Sequence, residues 1–213
     1  MLKDFPLFDT EFGIASLVLK EIPYKGIAYI ILREVWDAQQ LLAECVSFCR
    51  ICGAERIFAE GHKKLEQYPV YTAVNRMQGT IPSDLDLAAS LFPVTEETVG
   101  QWRRIHNEAM RNVDNAGTLE ARDEKQILAS GGAYFVHENG ELLGIFWLED
   151  RKLLAVAAVK PGTGQRVMHT MLSLVDGETV WLEVASTNAR AIRLYEKMGF
   201  VATAQLKCWH RVL

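Results

Sequence analysis

The chain of 213 residues lacks both an excess of basic side chains and any long apolar run. Its 23 lysines and arginines stand against 27 aspartates and glutamates, which gives a net charge of −4. Composition therefore offers no general basic surface for nucleic acid or an anionic membrane. The longest strongly apolar run, Ile27 to Leu32, is far shorter than the roughly 20 residues of a membrane-spanning helix.

The first residues, MLKDFPLFDTEF, do not resemble a signal peptide, because an acid and a proline stand where its apolar segment would be. We therefore expect a cytoplasmic protein with no nucleic-acid partner and no membrane partner.

Cysteine is scarce, and three of the four cysteines, Cys45, Cys49 and Cys52, recur at helical spacing; the fourth is Cys208. Such spacing could gather thiolates for a metal, with His62 as a fourth ligand. It is also the spacing of the buried stripe of an amphipathic helix. Because no second cluster of cysteine and histidine matches the first, we expect core thiols in a reducing compartment and no metal site.

A polar stretch with a proline, Met77 to Ser90, divides the chain into two halves. The pattern before it predicts two strands, a helix from about Asp37 to Cys52, and a third strand. We expect an N-terminal α/β region over residues 1–85 and a main domain over residues 90–213. The runs GAERIFAEG and GETVWLEVA echo each other, which indicates a degenerate half-copy of the main domain. Chance similarity of two strand–helix–strand units explains the echo equally well.

The second half predicts a mixed sheet flanked by helices. A short strand at LFPV precedes a helix that ends near Asn115 and a second helix over LEARDEKQILAS. Two strands follow, joined by Asn139-Gly140, which is a strong hairpin signal. The order then becomes strand, turn, helix, strand, helix and final strand, with Gly199 as the expected left-handed C-cap of the last helix.

The turn after KLLAVAAV contains two glycines, Gly162 and Gly164, just before a helix begins. Free backbone amides at a helix N-terminus form a site for phosphate. Pro161 has no amide hydrogen, so the candidate donors follow it: Thr163, Gly164, Gln165 and Arg166. Many turns of this kind contain glycine for steric reasons alone, and both explanations stay open at this point.

The strand TVWLEVA carries Glu183 on the face opposite Val180, Leu182 and Val184, because side chains alternate along a strand. A carboxylate in partly dry surroundings suits a general base. An exposed or ion-paired glutamate is the alternative. In the next helix Thr187 or Asn188 can act as the N-cap, and Tyr195 lies two turns after Asn188 on the same face, at about 10 Å.

The segment from Leu182 to Phe200, LEVASTNARAIRLYEKMGF, resembles the last conserved motif of the GNAT superfamily of N-acetyltransferases. That motif's asparagine, alanine, Leu-Tyr and Gly-Phe are present as Asn188, Ala191, Leu194-Tyr195 and Gly199-Phe200. The order of elements from Leu91 onward is also similar to the family's fold, so the resemblance covers roughly residues 90–213. Within the superfamily, the segment looks most like the bacterial acetyltransferases of ribosomal-protein N-termini.

The resemblance implies an α/β (α+β) GNAT fold and an acetyl-CoA-dependent N-acetyltransferase that acts on a primary amine of a small molecule or peptide. It implies that Glu183 is the general base and Tyr195 the general acid. It also implies that a backbone amide near Val159 binds the acetyl oxygen, and that Asn188 and the turn from Gly162 to Arg166 contact the coenzyme.

This chain departs from the family's pyrophosphate motif. Its turn, VKPGTGQRV, is about three residues shorter, has no arginine ahead of Gly162, and has Arg166 where a small residue is usual. Two alternatives therefore stay open: a non-catalytic acyl-CoA-binding or regulatory module, and a structural protein that kept the fold. The N-terminal half could wall the acceptor cleft, form a homodimer or stabilise the fold, and the acceptor amine cannot be read from the sequence.

Overall fold

The computed structural model describes residues 6–80, 89–175 and 179–213. Up to residue 80 the elements are β1 (Leu7–Thr10), β2 (Gly13–Val18), α1 (Ile22–Lys25), β3 (Ile27–Val35), α2 (Ala38–Ile51), β4 (Arg56–Glu60), a 3₁₀ helix (Lys63–Gln67) and β5 (Val70–Thr80). From residue 89 onward they are β6 (Ser90–Pro93), α3 (Val99–Met110), a 3₁₀ helix (Ala121–Asp123), α4 (Glu124–Ser130), β7 (Ala133–Glu138), β8 (Glu141–Glu149), β9 (Lys152–Ala158), α5 (Gly164–Leu172), β10 (Thr179–Ala185), α6 (Ala189–Lys197) and β11 (Val201–Arg211).

The chain divides into two compact units. The first contains the residues up to Ala73 together with Lys207–Leu213, and the second contains Val74–Leu206. Strands β5 and β11 each contribute residues to both units. Residues 77–80, which the sequence analysis assigned to the connecting stretch, form the end of β5, and the residues 81–88 of that stretch lie outside the described part of the chain.

The first unit is built on the strand order β1-β2-β3-β4, with the end of β11 beside β4. Strands β3 and β4 are parallel and α2 connects them, so they form one strand–helix–strand unit. Asp37 caps α2, since its carboxylate accepts hydrogen bonds from the amides of Gln39 and Gln40. The apolar face of α2 packs on the core that these strands form.

The prediction of core thiols is confirmed for Cys45 and Cys49, which are fully buried in α2. Burial raises the pKa of the Cys45 thiol to about 12 and that of Cys49 to about 11. The prediction is wrong for Cys52, which is exposed because α2 ends at Ile51 and leaves it at the C-cap. Within the described ranges, no group of three metal-ligating side chains is found.

The second unit has the mixed sheet that the sequence predicts, in the order β5-β10-β9-β8-β7-β6. Among the described strands of this order, only β9 and β10 pair in parallel, and the other neighbours pair antiparallel. One face packs on α5 and α6, through residues such as Val167, Leu182 and Phe200. The other face packs on α3 and α4, where Trp102 and Ile127 are fully buried.

Two local signals are confirmed by the backbone. Asn139 and Gly140 have φ angles of 50° and 78°, as the two central residues of the tight β7–β8 hairpin require. Gly199 has φ of 82° and ends α6, and the amide of Phe200 donates to the carbonyl of Tyr195 at 2.9 Å. This is the Schellman pattern of a helix C-terminus.

The boundaries of two helical segments differ from the predictions. Helix α3 ends at Met110, five residues before the predicted end at Asn115. The segment LEARDEKQILAS contains a 3₁₀ turn followed by the short helix α4. In the described part of the chain, no helix combines the length and the apolar character needed to cross a membrane.

Gly144 in β8 lets α5 approach the sheet closely. A Cβ atom at this position would lie 2.3 Å from the carbonyl oxygen of Ala157 and 2.7 Å from Val167 of α5. We expect Gly144→Ala to lower the free energy of unfolding by about 1–3 kcal/mol, as overpacking of a core does.

The matched control is Gly100→Ala in α3, because a Cβ atom there would have no neighbour closer than 3.7 Å. Removing a glycine from a helix should leave stability unchanged or raise it by up to about 1 kcal/mol. Urea unfolding of both variants measures the difference, and equal stability of the two would contradict the close approach of α5 to β8.

Candidate active site

Strands β9 and β10 pair only at one end and then diverge. Their parallel register consists of Trp181 opposite Lys152 and Leu182 opposite Leu153, although β9 continues to Ala158 and β10 to Ala185. Each strand is held on its other side, β9 by β8 and β10 by β5 from Thr179 to Ala185. The divergence leaves an edge of β9 without a strand partner.

A cavity of about 870 Å³ lies at this divergence, within the second unit. Its walls come from β9, β10, α6, the start of α5, and the end of α3 with the segment that follows it. The volume is within the range of small-molecule sites in proteins. A cavity bordered by a strand edge and two helix N-termini can bind an extended ligand that carries amides and phosphates.

The register of β8 and β9 determines which peptide groups of β9 face the cavity. The amide of Val159 donates to the carbonyl of Leu143 at 2.9 Å, so this residue belongs to the ladder with β8. Hydrogen-bonded and non-hydrogen-bonded pairs alternate in an antiparallel ladder. Ala158 and Val156 therefore direct their peptide groups away from β8 and towards the divergence, and both line the cavity.

The turn before α5 is held by Thr163. Its hydroxyl lies 2.9 Å from the carbonyl oxygens of both Leu143 and Lys160. Gly162 has φ of 86°, a conformation that favours glycine, and nothing lies within 4 Å of its missing Cβ. The turn is therefore fixed on one side and open on the other.

The first turn of α5 presents amides without acceptors. The structure gives the N–H groups of Gly164, Gln165 and Arg166 no acceptor among the residues it describes, as expected for the first turn of a helix. Gly164 and Gln165 line the cavity. The side chain of Arg166 points to the β7–β8 hairpin instead, where its Nη2 lies 2.7 Å from Oε1 of Glu138 in an ion pair that lacks hydrogen-bond geometry.

Glu183 lies in the exposed, ion-paired setting that the sequence analysis kept as the alternative to partly dry surroundings. Its side chain is 36% exposed, and its Oε1 accepts a hydrogen bond from Nζ of Lys152 at 2.8 Å. The reason lies in the neighbouring strand, since Lys152 opposes Trp181 and its amine reaches along β10 to the carboxylate. Both residues line the cavity.

Tyr195 is buried on α6 and also lines the cavity. Its ring packs 6.0 Å from that of Phe200, which the end of α6 holds in place. Burial raises the pKa of Tyr195 to about 12. The hydroxyl is therefore protonated throughout the physiological pH range and can act as a hydrogen-bond donor.

Asn188 begins α6, where its side chain accepts a hydrogen bond from the amide of Ala191 at 3.2 Å. The cavity thus brings together six of the residues predicted from sequence: Glu183, Tyr195, Asn188, Gly162, Gly164 and Gln165. The other three, Val159, Thr163 and Arg166, do not line it.

Sequence reasoning missed several residues of this region. Lys152 reaches Glu183 only through the pairing of two strands, and Arg76 opposes Glu183 from β5. Asp114, which follows α3, accepts a hydrogen bond from the hydroxyl of Thr187 at 2.7 Å. His106 lines the cavity from α3, and no spacing in the sequence connects it to the other site residues.

Comparison with curated proteins gives a relative that is named as an acetyltransferase. A mycothiol acetyltransferase of Parafrankia sp. (strain EAN1pec) is 26% identical over 155 residues, which cover 56% of this chain and 47% of that protein. The chain therefore spans about half the length of this relative.

Solved structures share the fold at low sequence identity. A GCN5-related N-acetyltransferase from Sphaerobacter thermophilus gives a TM-score of 0.53 at 12% identity, covering 93% of this chain and 75% of that one. A tandem GNAT protein from the clavulanic acid biosynthesis pathway also gives 0.53, at 14% identity, covering 94% of this chain and 78% of the other.

The model of the family described as the acetyltransferase (GNAT) family matches residues 85–200, which is more than half of the chain. The resemblance drawn from the final motif is thereby confirmed, and the fold agrees with that of the solved structures. The chain belongs to the GNAT family of acetyltransferases.

Proposed function

We propose that this protein is an acetyl-CoA-dependent N-acetyltransferase that acts on a primary amine of a small molecule or peptide. The observation that carries the proposal is the divergence of β9 and β10. It opens one cavity that borders an unpaired strand edge, the free amides of α5, Glu183 and Tyr195. Family membership supports acetyl transfer.

The residues around the cavity fit an acyl-coenzyme A. The free peptide groups of Val156 and Ala158 suit the amides of a pantetheine chain, as a strand edge suits a peptide. The amides at the start of α5 suit a pyrophosphate. Helix α6 adds three cations on the cavity wall, Arg190, Arg193 and Lys197, and none of them has a carboxylate partner within the described ranges.

Bound acetyl-CoA would supply an activated thioester. An amine is mostly ammonium at neutral pH and must lose a proton before it can attack. Glu183 is the carboxylate on the cavity wall beside the divergence, and we assign it this proton. The amide of Ala158 donates to the acetyl oxygen, where negative charge develops. The new C–N bond forms as the C–S bond breaks, and the nitrogen then gives up its second proton. Coenzyme A leaves as a thiolate, which takes up a proton to become the free thiol.

Tyr195 acts on the departing sulfur as a hydrogen-bond donor. A phenol whose pKa is about 12 is a weaker acid than a free thiol near 8.5, so full transfer of its proton to the sulfur would be uphill. Donating a hydrogen bond to the developing thiolate requires no such transfer. Burial therefore favours stabilisation of the leaving group over general acid catalysis at this residue.

A non-catalytic acyl-CoA-binding module is the second candidate. Two observations favour it: the short turn before α5, and the ion pair that joins Glu183 to Lys152. Both candidates require coenzyme binding, and only the first requires Glu183 and Tyr195 to take part in chemistry.

We further propose that the N-terminal region is a degenerate half-copy of the GNAT domain. The first unit contains the parallel unit β3–α2–β4, and the second contains the parallel unit β9–α5–β10. The tandem GNAT structure, whose fold covers 94% of this chain, supports this proposal.

We expect excess acetyl-CoA to raise the melting temperature by several degrees, since a ligand at 100 times its Kd adds about 2.7 kcal/mol to stability. Gln165→Pro should reduce this shift, because proline removes one free amide at the second position of α5. Proline is tolerated in a first helical turn, and α1 already carries Pro23 at this position after a cap residue with the same φ and ψ, −84° and −7°.

The matched control is Gln165→Ala, which changes the same side chain and keeps the amide. Gln165→Pro loses a hydrogen bond to a charged group, and this loss should weaken acetyl-CoA binding about 10- to 100-fold in calorimetry, whereas Gln165→Ala should bind acetyl-CoA as the unchanged protein does. If millimolar acetyl-CoA does not raise the melting temperature of the unchanged protein, the proposed function is overturned.

We expect Tyr195→Phe to lower kcat about 10²-fold, the lower end of the range for positioned acid–base groups, and to leave acetyl-CoA affinity nearly unchanged. Thiol release measures the rate and calorimetry measures the affinity. Tyr134→Phe is the control, because Tyr134 packs on Phe146 and does not line the cavity. Equal rates for the two variants would remove Tyr195 from the mechanism.

Glu183→Gln should lower kcat/KM with any accepted amine by about 10²- to 10⁴-fold, since the amide cannot take a proton. Coenzyme binding should persist, as judged by the melting shift. An unchanged kcat/KM at neutral pH would mean that another group accepts the proton.

A further inference from the structure

Four side chains, those of Arg76, Lys152, Trp181 and Glu183, lie together on one face of the sheet. Arg76 of β5 stands directly opposite Glu183 in the antiparallel register with β10. Lys152 of β9 stands beside Trp181 in the parallel register. Side chains of directly opposed residues share a face, and Trp181 and Glu183 share one because they are two residues apart.

The indole of Trp181 is in contact with two cations. The guanidinium carbon of Arg76 lies 4.7 Å from the ring centroid, and Nζ of Lys152 lies 4.5 Å from it. Both distances are typical of cation–π contacts. The ring therefore holds two positive charges next to a single carboxylate.

Charge in this cluster is not balanced. Lys152 pairs with Glu183, whereas Arg76 has no carboxylate within ion-pair distance in the part of the chain that the structure describes. Nε of Arg76 is buried and has no acceptor among these residues. A buried donor without a partner is costly, and a guanidinium is shaped to bind a carboxylate.

We propose that Arg76 and Lys152 form a carboxylate-binding site beside Glu183, and that the acceptor is an amine whose neighbouring carbon bears a carboxylate, as in an α-amino acid. The proposal rests on the proposed function and names the substrate class of the same site. The acceptor's carboxylate pairs with Arg76 and draws Lys152 away from Glu183. Its ammonium then lies against the freed carboxylate.

The spacing of the cluster suits such an acceptor. Opposed side chains in an antiparallel pair begin about 5 Å apart, so Arg76 and Glu183 can reach two groups that are attached to the same carbon. A simple cationic amine meets a net positive cluster here, which opposes its binding. An acceptor that carries a carboxylate and an ammonium matches the two cations, Arg76 and Lys152, and the carboxylate of Glu183.

Lys152 and Glu183 of this cluster line the cavity, and the remaining charged groups on its wall are placed for other partners. Asp114 accepts a hydrogen bond from Thr187. The cations of α6 line the cavity from the helix wall, with Arg190 in the first turn and Lys197 in the last. His106 stacks on Trp102 with a centroid separation of 5.6 Å, so its ring is held in α3.

The test uses matched acceptors with the intact protein and acetyl-CoA. Each L-amino acid of a panel is compared with its carboxamide and its decarboxylated amine, by thiol release at several pH values, with kcat/KM referred to the free-amine fraction. We expect the carboxylate to be preferred about 10- to 100-fold, the contribution of hydrogen bonds to a charged group. Equal or better use of the decarboxylated amines would overturn the proposal.

Variants separate recognition from folding. Arg76→Gln and Lys152→Gln should each raise KM for the amino acid at least about tenfold and reduce the preference over the carboxamide, while the melting shift with acetyl-CoA persists. Arg76→Lys should restore part of the preference. Arg122→Gln is the control, because it removes an exposed ion pair with Glu120 that lies outside the cavity. A preference that survives both glutamine variants would contradict the site.

Failure of the proposed function gives a different result from failure of this inference. If no amine releases thiol, the protein is not an N-acetyltransferase of this class. Calorimetry with N-acetylglycine and N-acetylglycinamide, in the presence of coenzyme A, then still tests the carboxylate site. Tighter binding of N-acetylglycine that Arg76→Gln abolishes supports the site, and equal binding of the two overturns it.

Discussion

The divergence of β9 from β10 is the constraint on which the second unit depends. Each strand has a partner on its outer side, β8 for β9 and β5 for β10, and the two share only two residue pairs. Buried peptide groups normally find partners, so the free edge of β9 near Ala158 is a place for a ligand to pair. The cavity and the exposed edge thus have one cause.

The end of α6 fixes the buried side chain of Tyr195 in that cavity. Gly199 closes the helix, and Phe200 enters the core, where its ring fills the space that Gly79 of β5 leaves. Tyr195, one turn earlier, is thereby held between the helix and the sheet. Its burial stabilises the neutral phenol, which suits a hydrogen-bond donor to sulfur better than it suits an acid.

The electrostatics of Glu183 come from its neighbours in the sheet. A partly exposed ion pair contributes little to stability, so the pair with Lys152 is better understood as a reversible contact than as a structural one. Nε of Arg76 is buried without a hydrogen-bond acceptor, which costs free energy and also favours a role in binding over one in stability. In the proposed function, a Glu183 carboxylate that pairs with Lys152 until an acceptor arrives would be selective for acceptors that can displace that lysine.

The sequence by itself determined the features that depend on neighbouring residues. The Asn139-Gly140 hairpin, the Gly199 terminus and the burial of Cys45 and Cys49 follow from spacing and backbone preference, and the structure contains each of them. For the cap of α6 the sequence offers Thr187 or Asn188, and the structure has Asn188. The final motif was enough to indicate the family, because its residues lie within nineteen consecutive positions, Leu182 to Phe200.

Tertiary structure alone decided which residues meet. The pairing of Lys152 with Glu183 and the position of Arg76 opposite it depend on the registers of two strands that are distant in sequence. The amide that faces the cavity, that of Ala158 and not that of Val159, depends on where the ladder with β8 ends. A one-residue change of register reverses every side chain and peptide group of a strand, and no local pattern fixes that register.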